Sequence, residues 1–135
     1  NDGSVRDFQS HTTQFTPGKN FDASGAFGPW LVTADEVPDP TALHLRTLVD
    51  NVVVQEATTD LLLFPIPRLI AYISTFTTLE PGDVIATGTP AGVGSRRDPP
   101  WFLEPGDVVE VDISGVGRLV NPVVAEHDTA EEEGP

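Results

Sequence analysis

Apolar and polar residues alternate along LHLRTLVDNVVVQEA, from Leu43 to Ala57, the period of a strand with two unlike faces. The alternation predicts two strands with a turn at Asp50-Asn51, although a longer hairpin in another register is equally compatible. VVEVDISGVGRLVNPV, from Val108 to Val123, reads as a strand, a glycine-containing turn and a return strand. The period changes in IPRLIAYISTF, where Leu69, Ile70, Ile73 and Phe76 fall at helical spacing. Pro67 stands near the start of that run, where its missing N–H costs little, so a short amphipathic helix is predicted over Pro67–Phe76. Residues Asn1 to Pro40 are polar and turn-rich, with one short strand predicted over Trp30–Thr33 that leaves through a proline-bounded loop.

The hexapeptide LEPGDV occurs twice, at Leu79–Val84 and at Leu103–Val108. In each copy Pro-Gly supplies a tight turn, the aspartate caps it, and a β-branched run follows, VIAT in one case and VVEVDI in the other. Each copy is therefore expected to launch a strand. The sum is a mixed α/β, β-rich domain with one clear helix.

Charge narrows the partners. Seven basic residues face 21 acidic ones, for a formal net charge of -14, which disfavours nucleic-acid backbones and anionic lipid surfaces. A small anionic substrate remains compatible wherever a local cation or metal reverses the field. The chain has no cysteine, so disulfides and thiolate chemistry are excluded and a cytoplasmic setting is expected. No apolar run approaches the length of a membrane span. The last residues, 125–135, are expected to be an acidic flexible tail.

Three places carry candidate chemistry. TGTPAGVG, Thr87 to Gly94, has glycines that let backbone N–H groups approach an anion and threonine hydroxyls beside them; it lacks the lysine of a Walker loop and the glycine spacing of a dinucleotide fingerprint. Lys19, the sole lysine, sits among turn residues and aromatics, where an amine serves as acid or base, holds an anion by charge, or is simply solvated. NDGSVRDFQ brings Asp2, Arg6, Asp7 and Gln9 together; a carboxylate is a natural Mg²⁺ or Mn²⁺ ligand, but one carboxylate does not make a metal site. Arg6 has Asp2, Asp35 and Asp39 as candidate partners. His44 reads as a strand residue on the polar face, His127 falls in the acidic tail, and His11 lies near Gln9. Arg96-Arg97, just after the glycine loop, either attract a carboxylate or, as the favoured reading, offset nearby acids.

Taken in order, NDGSVRDFQ, GKNFDASGAFGPWLVTADEVPDP and FPIPRLIAYISTFTTLEPGDVIATGTPAGVG resemble the fumarylacetoacetate hydrolase family over Asn1 to about Val124. The resemblance implies a catalytic domain over residues 1–124 with a rolled β-sheet, paired as a homodimer. It implies a divalent ion, Mg²⁺ or Mn²⁺ with Ca²⁺ as a further choice, held by two glutamates and one aspartate. It also implies a 2,4-dioxo acid substrate, such as an acylpyruvate or fumarylacetoacetate, cleaved at a C–C bond. Isomerases and decarboxylases of related 2-oxo acids are the alternatives within the family, and a truncated, non-catalytic family domain is another. Carried over residue by residue, Asp2 corresponds to the metal-binding aspartate and Arg6 to an arginine that supports the metal shell. Gln9 corresponds to an amide on the bound acid, Lys19 to the catalytic lysine, and Thr89 with Gly88 to the group that holds the substrate carboxylate. The family pattern places its two glutamate ligands, and a histidine-glutamate pair that activates water, upstream of the ND dipeptide; the domain is accordingly expected to be incomplete on its amino-terminal side. Gly3 and Gly25 depart mildly from the pattern, Gly25 standing where many relatives carry proline.

Overall fold

The computed structural model of the protein describes residues 1–126; the predicted tail beyond that point, with His127, lies outside the described residues. The alternating segments form β1 (His44–Val49), β2 (Val52–Thr58), β3 (Val108–Ile113) and β4 (Gly117–Pro122). They make one antiparallel sheet in the order β2-β1-β3-β4. The β1–β2 hairpin turns at Asp50-Asn51, whose φ angles of 49° and 66° are both positive, the conformation that short hairpin turns demand and that Asn and Asp tolerate.

Register sorts the side chains. Leu45, Val49, Val109, Val111, Ile113 and Leu119 share one face. That face is covered by the segment from Phe27 to Leu43, and an apolar cleft of about 570 Å³ lies between the two. Trp30 fixes the cover: its indole N–H donates to the Val116 carbonyl, and its ring lies so close to Gly117 that a Cβ there would come within 2.7 Å of it. Trp30–Thr33 is therefore not the strand predicted from its composition. The segment crosses the sheet as irregular chain and spends its polar group on a loop instead of a ladder.

The opposite face carries a cross-linked polar set beside Leu48, Val108 and Val120. His44 pairs with Glu56 at 2.9 Å, Arg46 with Asp112 at 2.8 Å, and Arg118 with Glu110 at 3.0 Å and Asp112 at 3.4 Å. His44 stands where the alternation puts it, on the polar face. Arg46 and Arg118 draw the Asp112 carboxyl below its ordinary value, chiefly through the hydrogen bond from Arg46.

The predicted helix is α2, Ile66–Ile73, one residue earlier at its start than expected and shorter at its end, closing in turns over Ser74–Phe76. Pro67 occupies its first turn. A second, single-turn helix, α1 (Arg6–Gln9), was not expected from the pattern. The buried apolar core among the described residues is small, Leu48, Val49 and Val109, while Leu63, Tyr72 and Phe76 stay largely exposed.

The two LEPGDV copies behave differently. The second launches β3; Val84–Thr87 after the first is not a strand, and its backbone pairs with no neighbour among the described residues. No helix among the described residues is long and apolar enough to cross a membrane.

Candidate functional site

The amino-terminal candidates meet because two backbone segments lock together. Val5 N–H donates to the Gly18 carbonyl at 2.9 Å, joining the start of α1 to a 3₁₀ turn at Thr16–Gly18. Gly18 is buried in that junction; a Cβ there would stand 2.6 Å from the Gln9 Cβ and 2.8 Å from the Val5 carbonyl. Only glycine lets the turn approach so closely. The next residue, Lys19, is thereby delivered to the chain start, where its Nζ lies 2.8 Å from Asp2 Oδ2 and donates to Ser4 Oγ at 2.6 Å.

Arg6 does not pair with any of the acids considered for it. Its guanidinium donates to Gln9 Oε1, one turn along α1. That bond occupies the acceptor of the Gln9 amide and leaves the two Nε2 hydrogens for another partner. Asp2, Arg6, Gln9 and Lys19 thus form one neighbourhood, with Ser4 a member that sequence reasoning missed. Gly3 adjoins Gly25, whose φ of +67° is closed to proline. His11 packs its ring on Phe8, centroids 4.9 Å apart, and Phe8 packs on Phe21.

Thr89 belongs to a second neighbourhood. The loop from Gly88 to Arg97 docks on β2 at a bulge, where Thr47 faces Gln55 but Leu48 faces Val53, leaving Val54 as the extra residue. The Val54 carbonyl receives Arg97, whose guanidinium also donates to the Gly92 carbonyl at 3.1 Å and lies over the Trp101 ring, 5.6 Å from its centre. A Cβ on Gly92 would collide with that same Val54 carbonyl. Gln55 reaches across and donates to Thr89 Oγ1 and to the Pro90 carbonyl, both at 3.1 Å. Arg97 is therefore an anchor on backbone carbonyls and offsets no acid; no ion pair of Arg96 or Arg97 occurs among the described residues. Gln55 is the second residue the sequence did not single out.

No hydrogen bond or ion pair among the described residues joins Thr89 to the Asp2–Lys19 neighbourhood. Among the described residues, a cleft over the apolar sheet face reaches Asn1, the neighbour of Asp2, and another of about 770 Å³ lies beside Ile70, Phe76 and Leu79. The described residues hold no group of three histidine, aspartate or glutamate side chains arranged for a metal ion. Asp2, more than half exposed, suits one ligand of a hard divalent ion, and a complete site requires further oxygens.

Comparison with known proteins gives the geometry a context. Residues 1–124 match the family model described as the fumarylacetoacetate hydrolase carboxy-terminal domain. A fumarylacetoacetate hydrolase from Exiguobacterium antarcticum superposes with a TM-score of 0.87 at 43% identity, over 91% of this chain and 44% of that one. A maleylpyruvate hydrolase from Sphingobium, solved with manganese(II) and pyruvate, superposes with a TM-score of 0.65 at 43% identity, over 72% of this chain and 34% of that one. The mitochondrial oxaloacetate tautomerase fahd2 of Xenopus laevis is 46% identical over 125 residues, 91% of this chain and 39% of its own length. The chain thus spans less than half the length of the curated relatives it matches.

Proposed function

Because the chain belongs to the fumarylacetoacetate hydrolase family, we propose that the full-length protein is a divalent-metal-dependent hydrolase that cleaves a C–C bond in a 2,4-dioxo acid such as an acylpyruvate. The observation that carries this reading is the Lys19–Asp2 pair at 2.8 Å, made between residues 17 apart in sequence by the Gly18 junction. An amine beside a metal-ligating carboxylate is what a reaction that builds up enolate charge needs.

Asp2 would be one ligand of a divalent ion, Mg²⁺ or Mn²⁺ or else Ca²⁺, and that ion would supply electrophilic polarisation of the oxo-acid oxygens. The chain's own residues bind the acid and move the proton. Lys19 Nζ gives two of its three hydrogens to Asp2 and Ser4 and keeps the third to donate to the departing carbon or its enolate oxygen. Gln9, its Oε1 engaged by Arg6, turns Nε2 to the substrate as a donor. Thr89 and the Gly88 backbone take the carboxylate and so orient the bond to be broken. Water adds to the acyl carbonyl, the C–C bond breaks, and pyruvate and a carboxylic acid are the products. The exposed Leu63, Tyr72 and Phe76 support a homodimer or another covered state. The absence of cysteine is in keeping with a cytoplasmic setting.

The tautomerase relative favours one second reading, proton transfer on a 2-oxo acid without bond cleavage, in which Lys19 serves the same proton. The test is to incubate the full-length protein and its Lys19→Ala variant with an acylpyruvate and Mg²⁺ or Mn²⁺ and to measure released pyruvate. The wild type is expected to release it, and the variant to turn over about 100-fold more slowly with its melting temperature unchanged. Normal turnover by the variant would remove Lys19 from the chemistry. Keto–enol interconversion without pyruvate would select the isomerase reading.

A further inference from the structure

We propose that Gln55 is the positioning residue that makes the Thr89 hydroxyl a donor to a substrate carboxylate. The inference rests on the reading of Thr89 given above and adds a residue to it. The Pro90 carbonyl can only accept. It lies 3.1 Å from one end of the Gln55 amide, so that end is the nitrogen, Nε2. The same nitrogen stands 3.1 Å from Thr89 Oγ1 and has a second hydrogen to give it. Thr89 Oγ1 is therefore the acceptor in that bond, and its own hydrogen points away from Gln55. A threonine left to itself rotates its hydroxyl freely; one that accepts from a fixed amide has used one of its two lone pairs and holds its hydrogen available on the side away from that amide. A carboxylate, which only accepts, is the ligand that this arrangement recognises.

The scaffold is built for the purpose. Gln55 follows the bulge residue Val54, and the bulge turns the Val54 carbonyl out to Arg97 and against Gly92. The loop is thus tied to β2 just after Thr89, by Gln55 at Pro90 and by Arg97 at Val54, with Arg97 also bracing the Gly92 carbonyl within the loop. The position of the hydroxyl and the direction of its hydrogen are set by the same strand.

Pyruvate binding to the full-length protein with Mn²⁺ present, read by calorimetry, tests this. Gln55→Met keeps the volume and removes the donor; Thr89→Val removes the hydroxyl. Each is expected to weaken pyruvate about tenfold, and the double variant no more than either alone, because the two act through one hydrogen bond. Gln55→Glu is expected to weaken it further, since its carboxylate takes the Thr89 hydrogen and repels the ligand, whereas Thr89→Ser is expected to bind within about threefold of the wild type. Melting temperatures identify any variant that fails to fold; if Gln55→Met does, Gln55→Glu against Thr89→Ser still decides the matter. Normal binding by Gln55→Met alongside weakened Thr89→Val, or additive losses, would overturn the role of Gln55 alone. Normal binding by Thr89→Val, or no pyruvate binding by the wild type, would overturn the role of Thr89 as well.

Discussion

The two LEPGDV turns are built alike and lead to different structures. In the first, Glu80 N–H donates to Asp83 Oδ2 at 2.9 Å and Asp83 N–H to the Glu80 carbonyl at 3.1 Å; in the second, Glu104 and Asp107 repeat both bonds at the same distances. Gly82 and Gly106 have φ angles of 105° and 103°. What differs is what surrounds the turn. Gly106 N–H donates to the Val123 carbonyl, Val123 N–H donates to the Asp107 carbonyl, and Val108 exchanges hydrogen bonds with Asp50 of the hairpin turn. The first copy has no such neighbours among the described residues. Downstream, Glu110 and Asp112, which pair with Arg46 and Arg118, are matched in the first copy by Ala86 and Gly88, which have nothing to pair with. A turn motif fixes the direction in which the chain leaves; a strand forms only where a ladder and side-chain partners receive it.

The largest effect that separates the two regions is expected in the residue after each motif's valine. Val109 is buried at 4% exposure, and its counterpart Ile85 is only half-buried. Val109→Ala is expected to lower stability by about 2 kcal/mol, through lost burial and the void left behind, and Ile85→Ala by well under half as much. Urea titrations of the 135-residue chain would measure both. Equal losses would show that Ile85 is packed as firmly as Val109 and would erase the contrast.

A smaller effect is expected at the turn glycines. A Cβ on Gly82 or Gly106 would meet no atom within 4 Å, so the cost of alanine is backbone strain alone. Gly106→Ala must keep the strained conformation, because Val123 holds the turn from both sides, and is expected to lose about 1 kcal/mol or somewhat more. Gly82→Ala can relax into another turn without breaking a ladder and is expected to lose less. The comparison is read from urea midpoints at unchanged slope; a larger loss at Gly82 would mean that the first turn is the more tightly held.

Local pattern made the sheet legible and left the site partly hidden, for reasons visible in particular residues. Alternation with Asp50-Asn51 marked the first hairpin, and the glycines around Val116 marked the second, because each pairing is between neighbours in sequence. Trp30–Thr33 and Val84–Thr87 have strand composition too, but neither has a ladder partner, and composition carries no information on partners. Lys19 and Asp2 stood out as residue types, and the resemblance set them in one site; their contact depends on Gly18 fitting against Gln9 and Val5, which no periodicity records. Ser4 and Gln55 were missed because each acts through another residue. The signal for Gln55 was slight, a single amide where VVVQEA breaks its apolar run, and the bulge that aims it could not be read from the alternation.

The smallest and most conditional effect concerns the acids that the second strand carries and the first lacks. Arg46, and then Arg118, hold the Asp112 carboxyl below its ordinary 3.8. A carboxyl whose value is lowered on folding contributes stability above its unfolded value, and that contribution is lost as pH falls through the folded one. Asp112→Asn is therefore expected to be slightly less stable than the wild type near about pH 7, with the difference shrinking once the pH falls below about 3.8. Salt should shrink it as well, since the arginines are partly exposed. Melting temperatures across that range, at low and high salt, would check both dependences. A difference that stayed constant with pH would mean that Asp112 acts through packing or a neutral hydrogen bond. The pairing of β3 with β1 and β4 would then owe its advantage over Val84–Thr87 to the backbone ladder and apolar burial alone.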